Sequence, residues 1–324
     1  MRPGISVAMC TFNGERFLLA QLKSIAGQSR LPDELIVCDD CSWDGTREIV
    51  AAFAATAAFP VRLVANGKNI GSTKNFEQAI SLCNCELVVL SDQDDVWFPH
   101  KLETIEKAFS SENEIILAFS DAEIINGESL PVGARLWSRV SFDGDKQRAF
   151  SEGRAFPLLL RHPIVTGATM AFRREFFPLI QPIPANDIHD RWISFLLACV
   201  GRIAVIQEPL MQYREHDEQQ EGLVPRLARN RMAHAKSRGA LAYLEEITRL
   251  RQLSARIAER NAEFKEPDSI QDQIHRKIRH LQHRAQLPTA RFARLPGIFR
   301  ESINANYWRF SGGAISVVKD LLIR

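Results

Sequence analysis

Several features that would point directly to a function are missing from this chain of 324 residues. It has no run of 18 or more apolar residues, so no membrane-spanning helix is expected. The start, Met1-Arg2-Pro3-Gly4-Ile5-Ser6-Val7, has too short an apolar part for a signal peptide, and the protein is expected to stay in the cytoplasm. Neither G-x-G-x-x-G nor G-x-x-x-x-G-K-[ST] occurs, which removes the glycine cradles of a dinucleotide fold and of a P-loop. The six cysteines include a C-x-x-C at Cys38 and Cys41, but no second pair or H-x-x-x-H follows at a zinc-site interval. Cys10 and Cys38 lie inside apolar strand patterns, where a free thiol packs as a small hydrophobe, so reduced thiols are expected.

An overall excess of charge of one sign is lacking, the net being only +2, yet the charge is unevenly placed. From Gly222 to Arg324 there are 20 Lys and Arg against 9 Asp and Glu, a net of +11, which leaves −9 for the rest of the chain. An acidic body with a basic helical extension is expected, divided at 1–221 and 222–324.

What the sequence does contain is centred on Leu87-Val88-Val89-Leu90-Ser91-Asp92-Gln93-Asp94-Asp95-Val96-Trp97, a short apolar run ending in three carboxylates. Such a run reads as a buried strand whose carboxyl end opens into a crevice, the place where open α/β sheets bind ligands. Three crowded acids repel one another, which calls for a cation with oxygen ligands among them. Capping of the helix that starts near Pro99 is the competing use for Asp94 or Asp95.

Before this run, strands are predicted at Ile5–Phe12, Leu35–Asp40 and Val61–Ala65, with helices up to Gly27, from Ser42–Thr46 to Ala57, and over Asn75–Leu82. This alternation predicts an α/β fold with a mostly parallel sheet and helices on both faces. After it come a helix over Lys101–Ser110, a strand over Ile115–Ser120 and a strand entered through Gly167. A helix opening at Asp187–Trp192 follows, then a strand pair, Ile203–Val205 and Leu210–Tyr213. Asn126–Ser151 is polar and is expected to be a loop that orders on substrate binding.

Five segments together resemble the inverting family-2 glycosyltransferases of the GT-A fold, over roughly the first two thirds of the chain. They are Cys10-Thr11-Phe12-Asn13-Gly14-Glu15, Cys38–Thr46, Asn69-Ile70-Gly71, Ser91–Trp97 and His189-Asp190-Arg191-Trp192, in the family's order and spacing. With Tyr213-Arg214-x-His216, the set is most similar to a rhamnosyltransferase-like subgroup of surface polysaccharide synthesis.

The resemblance implies a GT-A (Rossmann-like) core followed by an all-helical extension, and a role for each matching residue. Asp92 and Asp94 match the family's D-x-D, with Asp94 a direct ligand of Mg²⁺ or Mn²⁺ and Asp92 shared between metal and ribose. Asp95 is left as a helix cap. His216 matches a histidine that joins the metal site; its alternative is a solvated loop ring. Asp40 matches the acceptor for a pyrimidine imide N–H, with Thr11, Asn13 and Glu15 forming the wall beside it. Gly71 belongs to the nucleotide side, and Gly167 matches a loop that lets the donor sugar approach the backbone. Lys74 either reaches the diphosphate or is solvated. Asp190 is the expected general base, an inverting transferase needing one carboxylate opposite the leaving diphosphate. Its alternative is capping of the following helix. The family's glycine after the paired Asp is Cys41 here, which is strained if the position needs φ > 0. Trp97 and Trp192 either stack on sugar or belong to the core.

The activity implied is metal-dependent transfer of a sugar, L-rhamnose from dTDP-rhamnose, to a glycan or lipid-linked glycan acceptor. The alternatives are a UDP-hexose or UDP-N-acetylhexosamine donor, or a nucleotide-binding subunit without turnover in a polysaccharide assembly complex. The basic helices either pack on themselves or make peripheral membrane contact, Phe299, Tyr307, Trp308 and Phe310 suiting an anionic leaflet. No nucleic-acid motif accompanies the charge, and no nucleic-acid partner is expected.

Overall fold

A computed structural model describes residues 2–217, 219 and 231–322, with side chains for all of these except 231–239. The chain forms two compact units, one of Met1–Ala155 with Ile164–Gln219, the other of Phe156–Pro163 with Gln220–Arg324. The boundary expected between 221 and 222, and the helical pattern expected to begin near Leu223, fall outside the described residues.

The first unit opens with β1 (Ile5–Thr11), α1 (Glu15–Ala26), β2 (Glu34–Asp39), α2 (Thr46–Ala54), β3 (Val61–Ala65), α3 (Ser72–Leu82) and β4 (Leu87–Ser91). β1 and β4 are apolar at almost every position and buried on both faces, as central parallel strands must be. α1 turns Phe17, Leu18, Leu22 and Ile25 inward at helical spacing and stops at Gly27. α3 is entered through Gly71 at φ 84°, a left-handed conformation that glycine adopts without a Cβ penalty.

There follow β5 (Val96–Trp97), α4 (Lys101–Ser111), β6 (Ile115–Asn126), β7 (Pro131–Arg135), α5 (Leu136–Arg139), α6 (Gly144–Ser151), and α7 (Ala155–Arg161), most of which goes with the second unit. β8 (Met170–Arg173), α8 (Phe177–Ile180), α9 (His189–Ala198) and β9 (Arg202–Glu215) complete the first unit. The nine-stranded sheet runs β3-β2-β1-β4-β8-β6-β9-β5, with β7 beside β6. β3, β2, β1 and β4 are mutually parallel, so their carboxyl ends share one edge. Beyond β4 the sheet is mixed: β8 is antiparallel to both β4 and β6, whereas β6 and β9 are parallel.

Two expectations need correction. Asn126–Ser151 is not a structureless loop but β7, α5 and α6, held by Trp137, Phe142 and Phe150 packed around Phe119 at ring separations of 4.9–5.6 Å. The expected strand pair is the single strand β9, which continues through Gln207–Pro209 with a register shift against β6.

The second unit contains α10 (Arg231–Glu259), α11 (Pro267–Ala285), α12 (Leu295–Ile303), α13 (Asn306–Phe310) and α14 (Ala314–Leu322). Ile247, Leu250, Leu253 and Ile257 of α10 are buried, but Leu241 and Leu244, expected on the same stripe, are exposed.

Candidate active site

Three loops meet at the carboxyl edge of the parallel strands, and side chains tie them together. Gln93 makes a two-point bond to the backbone of Phe12, its Oε1 accepting from the amide at 2.8 Å and its Nε2 donating to the carbonyl at 3.0 Å. Thr11 Oγ1 donates to Asp39 at 2.9 Å, and Asn13 Oδ1 accepts from the Trp43 amide at 3.1 Å. Glu15 accepts from the Gly45 amide at 2.9 Å while Asp44 accepts from the Glu15 amide at 3.1 Å. Asn13 and Cys41 both have positive φ, 49° and 68°. The cysteine therefore occupies the left-handed conformation in which a side chain is strained.

Asp40 holds the neighbouring loop. Its carboxylate accepts from the amides of Ile70 at 2.8 Å and Gly71 at 2.9 Å, and from Asn66 Nδ2 at 3.0 Å. A carboxylate has about four acceptor positions, so these three bonds leave about one for a ligand. Lys74 is paired with Glu77 at 2.5 Å, one turn along its own helix.

At the end of β4 the acids crowd. Burial pushes the Asp92 carboxyl up to about 7, with Asp94 and Asp190 adding and Lys101 opposing. Asp94 Oδ2 lies 2.9 Å from His216 Nε2, whose ring packs on Phe17 at 4.7 Å. Asp95 is not a helix cap: α4 begins six residues later, at Lys101, and Asp95 Oδ1 instead accepts from the Arg214 amide at 3.0 Å. Its other oxygen is buried with no hydrogen-bond partner, and burial followed by Asp94 and Asp92 holds its pKa well above the usual carboxylate range.

Two cations brace this loop, Lys101, which no motif marks, and Arg214, which the sequence offers only as part of the Tyr-Arg-x-His grouping. Lys101 is fully buried, donates to the Ala168 carbonyl at 2.8 Å and lies over the Trp97 ring at 4.1 Å. Burial lowers its pKa to about 7 against the pull of Asp95 and Asp92. Arg214 donates to the Asp94 carbonyl at 2.6 Å and to Ser129 Oγ at 2.8 Å, and it stacks on Phe17 at 4.5 Å. A charged residue amid apolar helix or strand residues carries no periodicity signal, although the Tyr-Arg-x-His grouping marks Arg214.

Asp190 stands in the first turn of α9. It accepts from the Gly167 amide at 3.0 Å and from the Arg191 amide at 2.5 Å. Burial raises its pKa to about 6, opposed by those two amides and the Arg191 guanidinium. Gly167 makes room for this pair of residues: a Cβ there would lie 2.8 Å from His189 Nε2 and 3.4 Å from Asp190 Cβ. His189 is stacked on Phe76 at 4.1 Å with both ring nitrogens buried and unpartnered, and burial lowers its pKa to about 3. Trp97 and Trp192 are core, the latter donating to the Ile180 carbonyl at 2.8 Å. The aromatic free at this edge is Trp43, 81% exposed.

Asp92, Asp94, Asp95 and Asp190 thus share one electrostatic environment, while Asp40, Asn13 and Glu15 bind loop backbone beside it. Among the described residues, no three His, Cys, Asp or Glu side chains are drawn together closely enough to cage a metal.

A parallel α/β half-sheet with an acidic loop at its carboxyl edge, a mixed second half and a carboxylate at a facing helix start defines the GT-A class. The chain belongs to glycosyl transferase family 2, whose profile matches residues 6–179. The dTDP-rhamnosyl transferase RfbG of Shigella flexneri is 32% identical over 237 residues, 66% of this chain and 73% of that protein. The first curated relatives, at 28% identity, are matched over 65% and 59% of their own length. Among solved structures, S. aureus TarS 1-349 in complex with UDP-GlcNAc superposes with a TM-score of 0.58 at 15% identity, covering 91% of this chain and 79% of that one. The mannosyltransferase PcManGT from Pyrobaculum calidifontis, in complex with GDP-Man and Mn²⁺, gives 0.51 at 19% identity, covering 98% and 78%. Both structural likenesses speak for the fold.

Proposed function

We propose that this chain is a metal-dependent inverting glycosyltransferase that takes a sugar from a nucleoside diphosphate, with dTDP-L-rhamnose the donor favoured by the likeness to RfbG. The acceptor is a glycan or lipid-linked glycan met at the inner face of a membrane. The observation that carries the reading is the cluster of acids at the end of β4, with one buried carboxylate oxygen of Asp95 unpartnered, beside the separate carboxylate of Asp190.

The donor set suits a hard divalent cation. Asp94 and His216 offer oxygen and imidazole nitrogen in contact with each other, Asp92 adds a carboxylate, and the orphaned Asp95 oxygen shows that protein donors do not satisfy the cluster. Mg²⁺ or Mn²⁺ held there would neutralise the leaving diphosphate. On the other strand ends, Asp40 with Thr11, Asn13 and Glu15 would receive base and ribose, and the Gly71 turn would border them. In the transfer step the acceptor oxygen bonds to the anomeric carbon and the bond to the diphosphate oxygen breaks. The acceptor proton passes to Asp190, and a carboxylate near pKa 6 is well matched to accept it at neutral pH.

Nucleotide release from a panel of dTDP- and UDP-sugars with Mn²⁺, in wild type and Asp190→Asn, tests this. Removal of the base is expected to slow transfer by about 10²–10⁴-fold, and chelation to abolish it. Undiminished turnover in the variant would remove Asp190 from the base role, and a metal-independent rate would remove the metal. A UDP-hexose or UDP-N-acetylhexosamine preference would replace rhamnose within the same mechanism.

A further inference from the structure

Two helices of the second unit bury acids while exposing large apolar side chains. α14 turns Asp320 inward, where the carboxylate accepts from Arg284 Nε at 2.6 Å and from the Tyr307 hydroxyl at 2.8 Å. α12 likewise buries Glu301, which binds His280 Nδ1 at 2.5 Å and accepts from Asn306 Nδ2 at 3.0 Å. Arg294, 1% exposed, donates to the carbonyls of Pro288 and Asp320. Meanwhile Ile298, Val317 and Leu321 pack inward, but most of the other large apolar side chains of the same helices face out. Leu295, Phe299 and Ile303 recur every fourth residue along α12, with Phe292 just ahead of it, and Ile315, Val318 and Leu322 line one side of α14. Phe292, Phe299, Ile303 and Ile315 are each more than 65% exposed. An apolar face of this size, on helices whose buried faces already hold Ile298, Val317 and Leu321 beside the ion pairs, marks a surface that leaves water when it works.

Charge decides what covers it. Between Gln273 and Leu322 the chain has nine Lys and Arg but only two acids, Glu301 and Asp320, and both are buried and paired. The exposed charge of this stretch is therefore all positive. Arg279, Arg300, Arg309 and Lys319 have no carboxylate partner among the described residues, and Arg300 follows directly on Phe299. Arg279, Arg300 and Arg309 also line a cleft of about 700 Å³ with His283 and Arg276, where the acids are Glu301, which is buried, and Asp272, which is paired with Arg276 at 2.7 Å. A second copy of this chain would bring the same cationic rim against itself, whereas an anionic leaflet complements it.

We infer that α12 and α14 dock the protein on an anionic membrane, with Phe292, Phe299, Ile303 and Ile315 entering the interface and Arg279, Arg300 and Arg309 taking lipid phosphates. The residues expected from sequence to face lipid are corrected in part, because Tyr307 and Phe310 are buried and only Phe299 and Trp308 are exposed. The choice of leaflet rests on the acceptor reading above; the docking itself does not.

The test is flotation of the full chain with vesicles of phosphatidylethanolamine and phosphatidylglycerol, against vesicles of phosphatidylcholine alone, without donor or acceptor. Wild type is expected to float with the anionic vesicles, and raising the salt is expected to weaken but not abolish binding. Phe299→Asp with Ile315→Asp, and separately Arg300→Glu with Arg309→Glu, should each weaken it at least tenfold while donor binding is unchanged. All four side chains are exposed, so the fold should tolerate the changes, and circular dichroism checks this. Absence of vesicle binding by wild type would overturn the docking, as would equal binding by the apolar-face variant. A wild-type dimer made monomeric by Phe299→Asp with Ile315→Asp, at unchanged vesicle affinity, would assign the face to a second copy. Donor turnover that persists through any of these failures leaves the transferase reading standing.

Discussion

Gly167 shows how closely the residue scale constrains this site. Its amide donates to Asp190 and its missing side chain accommodates His189, so one position serves the hydrogen bond and the packing together. Gly167→Ala would place a methyl 2.8 Å from the His189 ring, which cannot retreat because it is stacked on Phe76. Overpacking of this kind costs about 1–3 kcal/mol, and the displaced ring should carry Asp190 with it. Thermal melting and transfer rate should both fall in the alanine variant, and His189→Ala added to it should recover stability relative to the single change. A double variant no more stable than Gly167→Ala would mean that the methyl meets something other than the ring. The sequence motif marked Gly167 and Asp190 as partners of a reaction, and the structure adds that they are partners of each other. Lys101 and the role of Gln93 escaped notice because buried polar residues are recognised by what surrounds them, and their surroundings come from distant parts of the chain. Asp95 was misread for a related reason: its partner, the Arg214 amide, lies 119 positions away.

At the scale of elements, the first four strands and their helices were legible because each has a regular pattern of its own, period 3.6 or a short apolar run between turns. The segment after β6 was not. Leu136, Trp137, Phe142, Ala149 and Phe150 are buried but fall on two short helices and the turn between them with no shared period, and polar residues fill the spaces between them. What orders them is the Phe119 ring on β6, a tertiary contact, so the segment is part of the folded core and does not wait for a ligand. Trp137→Ala should therefore destabilise the protein by about 3–5 kcal/mol, the usual cost of deleting a large buried aromatic. Urea denaturation in the absence of donor measures it. A loss below about 1 kcal/mol would return the segment to the status of a substrate-ordered loop.

For the whole molecule, the uneven charge visible in the sequence becomes a difference in how the two units respond to pH. In metal-free protein, burial raises the pKa of Asp92 to about 7 and of Asp190 to about 6, far above the ordinary Asp value of about 3.9. A raised folded-state pKa means that the native state binds the proton more tightly, so this stabilisation is absent above the folded pKa and grows as pH falls toward the unfolded one. Asp33, Glu34 and Asp44, held low by hydrogen bonds despite partial burial, act oppositely, but only near and below their ordinary range. Between about pH 7 and 5 Asp92 and Asp190 therefore add stability, on the scale of about 1.4 kcal/mol per unit of pKa shift. His189 on α9, lowered to about 3 by burial, works against Asp190 over the same range, so that the β4 edge is where the first unit is expected to gain stability. The second unit should lose it. Burial lowers the His280 pKa, and Arg284 adds to the effect against Glu301 and Asp320, so the stability His280 contributes above its ordinary pKa of about 6.5 is lost as pH falls. Amide hydrogen exchange on chelated protein, corrected for intrinsic rates, reads each unit separately. Protection of β4 should rise from pH 7.5 to 5.5 while that of α11 and α12 falls, and a saturating divalent metal should remove the rise by holding the carboxylates ionised at both pH values. A uniform change across all peptides would show that the buried carboxylates of the β4 edge do not carry the proton affinity assigned to them.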